Sequence, residues 1–213
     1  MDVKTLPEEL RAKAAISLGP VLEHADTDGF EYPDDVPITE QTFHRARESL
    51  RKLYADAGIP GEVRRRILEA AVRAPQDWQR GAIGAAYASD DEDWRLTAVF
   101  CMGFVRGFEE QILEALESKN AAIHYEAVRA AGNWEVDAAW PHISALVTAE
   151  ETDRPLLLAA VEAVGSIRPR EAAEILDALI DAEDEDIAEA VYEALTMAEG
   201  LADEDDEDDE FRH

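Results

Sequence analysis

Apolar residues recur along this chain with helical spacing. Around Ala71, Ala98, Ala127, Ala160 and Ala190, each followed by Val, further apolar residues fall at fixed offsets. Ile67, Trp94, Ile123 and Leu156 stand four before these anchors. Met102, Ala131, Val164 and Ala194 stand four after, and Trp78, Val105, Trp134, Ile167 and Met197 seven after. Offsets of −4, 0, +1, +4 and +7 draw one apolar stripe on a helix of 3.6 residues per turn. Asp186, at −4 of the last unit, is the clear exception, with Ile187 beside it. A sixth, looser copy centres on Ala14, with Leu10, Leu18, Gly19 and Val21 around it.

After each of these helices comes a second apolar pattern, such as Ile112, Leu113 and Leu116, or Ile143, Leu146 and Val147, or Ile175, Leu176, Leu179 and Ile180. The predicted unit is therefore a helical hairpin. Pro141 and Pro169 suit the first turn of second helices, where a missing N–H leaves no bond unmade. Thr5 with Glu8 and Ser89 with Glu92 match the capping box, and Asn120 and Asp184 are good N-cap residues. The acids at 90–93 and 183–186 sit where the helix dipole favours negative charge. Glycine recurs at +5 (Gly19, Gly103, Gly132, Gly165). Inside a helix each costs about 1 kcal/mol relative to Ala, so a close helix crossing or a chain reversal must compensate.

The anchors lie 27, 29, 33 and 30 residues apart. One hairpin of that length cannot bury its stripe alone, but like hairpins stacked in a row share a continuous core. The expected fold is all-α, with five to six helical hairpins stacked in a row. Residues 1–58 are expected to form an atypical N-terminal capping hairpin with an acidic loop at 24–37. Residues 59–200 form the repeats, and 201–213 a disordered acidic tail. The phrase A-x-x-A-[LV]-G-x-I, seen as AVEAVGSI at 160–167 and more loosely as AAISLGPV at 14–21, resembles the HEAT-like repeats of bacterial proteins, including the phycobilisome-lyase type. The resemblance covers residues 59–199 well and the first 58 loosely. It implies a right-handed α-α superhelix (ARM/HEAT-type solenoid) of five to six helical hairpins; members of that broad group act as scaffolds, chromophore lyases and, in a distant branch, DNA glycosylases, so it does not choose a function.

Charge changes the picture. The chain carries a net −29, and without the run DEDDEDDE at 203–210 and the rest of its tail the body still holds 41 acids against 19 bases. Such a field repels phosphate backbones, so nucleic acid is not expected as a partner. A saline cytoplasm accounts for it equally well. No run of about 20 apolar residues is present and the N-terminus has no secretory pattern, so no membrane span and a cytoplasmic location are expected. The single cysteine, Cys101, lies in an apolar segment and reads as a core residue.

Trp78, Trp94 and Trp134 occupy repeat positions and read as core. Trp140 does not: other units carry Gly84, Gln111 and Ala173 at its place. With Tyr125 and His142 it is the candidate partner-binding set, Trp and Tyr being common interface anchors. Bases cluster only between 45 and 73, and Arg45, Arg64, Arg65 and Arg66 are the candidate patch for an acidic partner or the chain's own tail. The simpler reading pairs them with neighbouring acids. His24, Asp26, Asp28, Gly29 and Asp35 follow an EF-hand spacing, but His24 stands where Asp is required, and Glu31 and Pro33 break the loop pattern. A solvated loop without metal is expected. No nucleophile elbow, metalloprotease helix, phosphate loop or zinc spacing occurs. The sequence therefore points to a monomeric, non-catalytic protein-binding scaffold or adaptor without a cofactor, taking another protein or peptide on its concave face. The alternative is a chromophore-lyase-like or small-ligand-handling repeat protein. A closed apolar pocket favours the second and an open groove the first.

Overall fold

The computed structural model describes residues 6–31, 36–149 and 151–210, the side chains of 201–210 excepted. The regular structure of these residues is helical. The α-helices are α1 Glu8–Ile16, α2 Gly19–Asp28, α3 Glu40–Ala55, α4 Gly61–Ala71, α5 Asp77–Tyr87 and α6 Glu92–Met102, then α7 Glu109–Leu116, α8 Ala121–Asn133, α9 Trp140–Thr148, α10 Arg154–Ile167, α11 Pro169–Leu176 and α12 Glu185–Glu210. The chain divides into two compact units, Met1–Val105 and Arg106–His213.

In the second unit the expected stack is plain. Helices α8, α10 and α12 carry the anchors Ala127, Ala160 and Ala190 and pack in that order, while α7 lies against α8, α9 against α10, and α11 against both α10 and α12. Ala127, Val128, Ala160, Val161 and Val164 are fully buried, as the stripe requires. Burying a Val side chain stabilises by about 1.5–3 kcal/mol, so the repeated Ala-Val pair supplies much of each interface. The +5 glycines mark close crossings. A Cβ on Gly132 would lie 2.9 Å from Ala163 Cβ and 3.0 Å from Ala163 Cα, and one on Gly165 would lie 2.8 Å from the Ala194 carbonyl oxygen. Chain reversal after α8 is made elsewhere, at Glu135, whose φ is 51°. The Val136 N–H donates to Ala131 O at 3.0 Å and the Glu135 N–H to Gly132 O at 3.1 Å. This is a Schellman closure with Glu where Gly is usual.

In the first unit α4, bearing the anchor Ala71, packs against α1, α3 and α6, and α5 against α6. Among the described residues of 1–58 there are three helices, α1 to α3, where a hairpin is expected, and they share one core with α4: Leu22, Phe43 and Leu50 cluster with Val63, Ile67 and Ala70. The looser copy of the repeat at Ala14 is not in register. Ala14 is exposed, Leu10 is 51% and Leu18 38% exposed, and Ala12 and Ala15 are buried instead. The cause is local: α1 ends at Ile16 and α2 starts at Gly19, so the −4 and +7 positions do not share one helix. Small alanines then face α4, and the leucines turn outward.

Capping follows the sequence reading in part. The Asn120 side chain accepts from the Ala122 N–H at 3.0 Å, and Asp184 from the Asp186 N–H at 3.1 Å and the Ile187 N–H at 3.3 Å. Pro141 and Pro169 sit in the first turns of α9 and α11. Ser89 does not cap α6. Asp91 does, and Ser89 Oγ accepts from the Asp91 N–H at 3.1 Å. Thr5 lies outside the described residues. Helix α2 runs on to Asp28 and ends at Gly29 (φ 67°), so the acidic loop expected from residue 24 starts later. Helix α12 continues to Glu210, giving residues 201–210 helical backbone where the sequence reading expects disorder.

Candidate functional site

The close crossings in the second unit produce a groove. Where Gly132 meets Ala163 and Gly165 meets Ala194, helix backbones approach too nearly for large side chains. The resulting cleft, about 300 Å³, is floored by Gly132, Ala159, Ala163, Ala190 and Ala194. Its rim is polar and repeats like the fold: Arg129 and Glu162 both stand two after their anchors, Asn133 and Ser166 six after. Helix α12 adds Glu193 and Met197. Met197 occupies a +7 position expected in the core, yet it is 41% exposed and lines the groove. A small-residue floor between rows of donors and acceptors suits an extended chain, and an exposed thioether gives an adaptable apolar contact. None of these rim residues appears among the sequence candidates. The signal was present, as polar residues repeating at +2 and +6 beside the +5 glycine.

Of the candidate partner-binding residues, Tyr125 borders this groove through Arg129, whose guanidinium lies 5.9 Å from its ring. Trp140 and His142, on α9, lead elsewhere. The Arg168 guanidinium covers the Trp140 ring at 5.3 Å and donates to Asp137 at 2.8 Å, holding that carboxyl below its usual range. His142 Nε2 meets His124 Nε2 at 2.8 Å, and its Nδ1 stands 3.4 Å from Glu117. Burial first, and then the neighbouring His142, lower the His124 pKa. One Nε2–H therefore donates to the other ring's lone pair, and the carboxylate facing His142 Nδ1 favours His124 as donor.

The candidate basic patch lies in the first unit and is engaged at home. Arg64 donates to Tyr54 O at 2.9 Å and sits 5.0 Å from the Tyr54 ring and 5.7 Å from the Trp94 ring. Arg65 pairs with Glu62 and, at 3.0 Å, with Asp93; Arg66 pairs with Glu62 at 2.9 Å and Glu69 at 2.8 Å. Glu69 in turn accepts from buried Thr97 at 2.7 Å, tying α4 to α6. Arg45 is exposed on α3. The same use of arginine recurs over Phe100, Phe104 and Trp134, a contact that the planar guanidinium suits better than an ammonium.

His24, Asp26 and Asp28 lie on helix α2 and not in a loop, and His24 and Asp28 pair one turn apart at 2.9 Å. Asp35 lies outside the described residues. Among the described residues no group of three His, Cys, Asp or Glu side chains is placed to hold a metal ion, and no helix is long and apolar enough to cross a membrane.

No protein-family model matches the chain, and neither does any curated protein. Among solved structures it is similar to the crystal structure of an engineered protein, at 18% identity over 92% of this chain and 93% of that one, with a TM-score of 0.53. Human deoxyhypusine hydroxylase, in complex with glycerol, aligns at 19% identity over 92% of this chain and 81% of that one, with a TM-score of 0.47. At such identity the first likeness is one of fold: an all-α array of helices.

Proposed function

We propose that this chain is a non-catalytic protein-binding adaptor whose second unit holds an extended segment of a partner protein across α8, α10 and α12. The observation that carries this reading is the groove, with its Ala and Gly floor and a polar rim repeating at equivalent positions of successive helices. Its rim offers two carboxylates, Glu162 and Glu193, against one guanidinium, Arg129, on a chain of net charge −29. Such a field attracts a segment carrying Lys or Arg and speeds its capture at low salt. Trp140 and His142, on α9, belong to a separate surface in this proposal. The finer kinship, with phycobilisome-lyase-type bacterial repeats, is supported by the phrase AVEAVGSI at 160–167. A soluble, cytoplasmic monomer fits the same reading.

Peptide display on the full chain tests it. Selected extended peptides bind the parent, and Ala190→Trp, which fills the floor, abolishes binding while the far-ultraviolet melting curve stays put. Glu162→Arg with Glu193→Arg removes the preference for basic peptides. Peptides that bind the Ala190→Trp chain as tightly as the parent would place the site elsewhere and end the proposal.

A further inference from the structure

The outward turn of α1 leaves a second, chemically different groove, in the first unit. It measures about 330 Å³ and is lined by Leu6, Ala14, Ala15 and Leu18 on one side and by Leu50, Leu53, Ile59, Val63 and Ile67 on the other. Leu50, Val63 and Ile67 are core residues that form its floor, whereas Leu18 and Leu53 are each 38% exposed, so the apolar walls open to solvent. The one charged residue in this lining is Arg11. Its Nε is buried without a hydrogen-bond partner, as are those of Arg47 and Arg73. Those two guanidiniums are held through their other nitrogens, by Pro75 O and Glu23, and Arg64, Arg65 and Arg66 by a carbonyl oxygen or carboxylates, whereas among the described residues no carboxylate lies within ion-pair distance of Arg11. A guanidinium in an apolar wall that no carboxylate neutralises is an anchor for an anion, because desolvation strengthens its charge-assisted bonds.

We propose that this groove binds a medium-chain alkyl carboxylate, with the hydrocarbon chain along Leu18, Leu53 and Ile59 and the carboxylate on Arg11. The volume lies at the lower end of the roughly 300–1,000 Å³ typical of small-molecule sites. A peptide segment is the poorer fit, because the walls offer almost no donor or acceptor for its backbone and an unpaired buried amide is costly. This site is independent of the groove across α8, α10 and α12. It involves other residues in the other unit, and either proposal stands if the other fails.

Decanoate and decanol, kept below their aggregation limits, are titrated into the full chain by calorimetry with leucine-methyl NMR alongside. Decanoate shifts the methyls of Leu18 and Leu53 and binds at least about ten-fold tighter than decanol. Arg11→Gln removes that preference, and Leu53→Glu removes binding of both. Arg11→Lys, kept as a second variant should Arg11→Gln fold poorly, retains charge without the planar fork and leaves an intermediate preference. Equal affinity for the two ligands in the parent, an undiminished preference in both Arg11 variants, or no methyl shift at saturating decanoate each overturn the proposal. So does capture of a leucine-rich amphipathic peptide in the groove when decanoate does not bind.

Discussion

Replacing Gly132 with Ala tests the helix crossing that creates both the core of the second unit and its groove. Two effects oppose each other. Alanine is the better helix former by about 1 kcal/mol in a helix interior. Against that, the new Cβ would stand 2.9 Å from Ala163 Cβ and 3.0 Å from Ala163 Cα, well inside ordinary van der Waals separation. The Cα belongs to the backbone of α10 and has no rotamer to yield with, so the helices must part by a few tenths of an ångström along a packed interface. Overpacking of this kind costs about 1–3 kcal/mol, and separation also loosens the packing of buried Val128 and Val161. The net expectation is a loss of about 1–2 kcal/mol. Gly84→Ala is the matched control, since Gly84 lies on the exposed face of α5 and a Cβ there meets nothing within 4 Å, and it should gain up to about 1 kcal/mol. Urea unfolding followed by circular dichroism reads both, and each kcal/mol corresponds to about 2–4 °C in Tm for a chain of this length. Adding Ala163→Gly to Gly132→Ala should recover part of the loss, because it removes the nearer methyl and leaves only the crowding against the α10 backbone. If Gly132→Ala stabilises the protein as Gly84→Ala does, the crossing of α8 and α10 is not close.

Glu135→Gly relieves a left-handed backbone at the Schellman closure and should raise stability by about 0.5–1 kcal/mol, the gain being reduced by the freer unfolded chain; a lowered melting temperature would contradict it. Thr97→Val keeps shape but removes the 2.7 Å bond to buried Glu69, and should cost about 1–3 kcal/mol in urea unfolding, whereas a neutral result would show that Arg66 alone satisfies that carboxylate. Asp184 has its pKa lowered from 3.8 to about 2, first by its hydrogen bonds from Arg154 at 2.7 and 3.0 Å. A depressed folded pKa contributes stability that is present above the unfolded value and lost as pH falls from about 4 through about 2. Arg154→Ala should return the Asp184 carboxyl resonance to an ordinary titration and flatten that part of the acid limb; an unchanged titration would mean that the α12 N-terminus alone depresses it.

Much of the second unit was legible because its repeat solves one packing problem several times over: the Ala-Val anchors, the stripe and the caps at Asn120 and Asp184 each follow from local rules. The first unit was less so. The phrase at Ala14 satisfies the repeat in letters, but a turn at Ser17–Leu18 interrupts the helix that would align them, and periodicity cannot register a break that leaves composition unchanged. Trp140 departs from the repeat, yet Arg168 already covers its ring. The departure marked a local arginine lid on an aromatic ring. His124 is not legible in the sequence, because a lone histidine on a helix carries no signal until a second ring from α9 is brought to 2.8 Å.

Helical periodicity, the need of each stripe for a dry neighbour and the strong negative charge are properties of residues near one another along the chain, and they specify an all-α protein with stacked hairpins in its second unit. The grooves were decided by tertiary structure. Each is the space left between helices from different parts of the chain, set by how closely glycine and alanine let backbones approach in one unit and by which face α1 turns to α4 in the other.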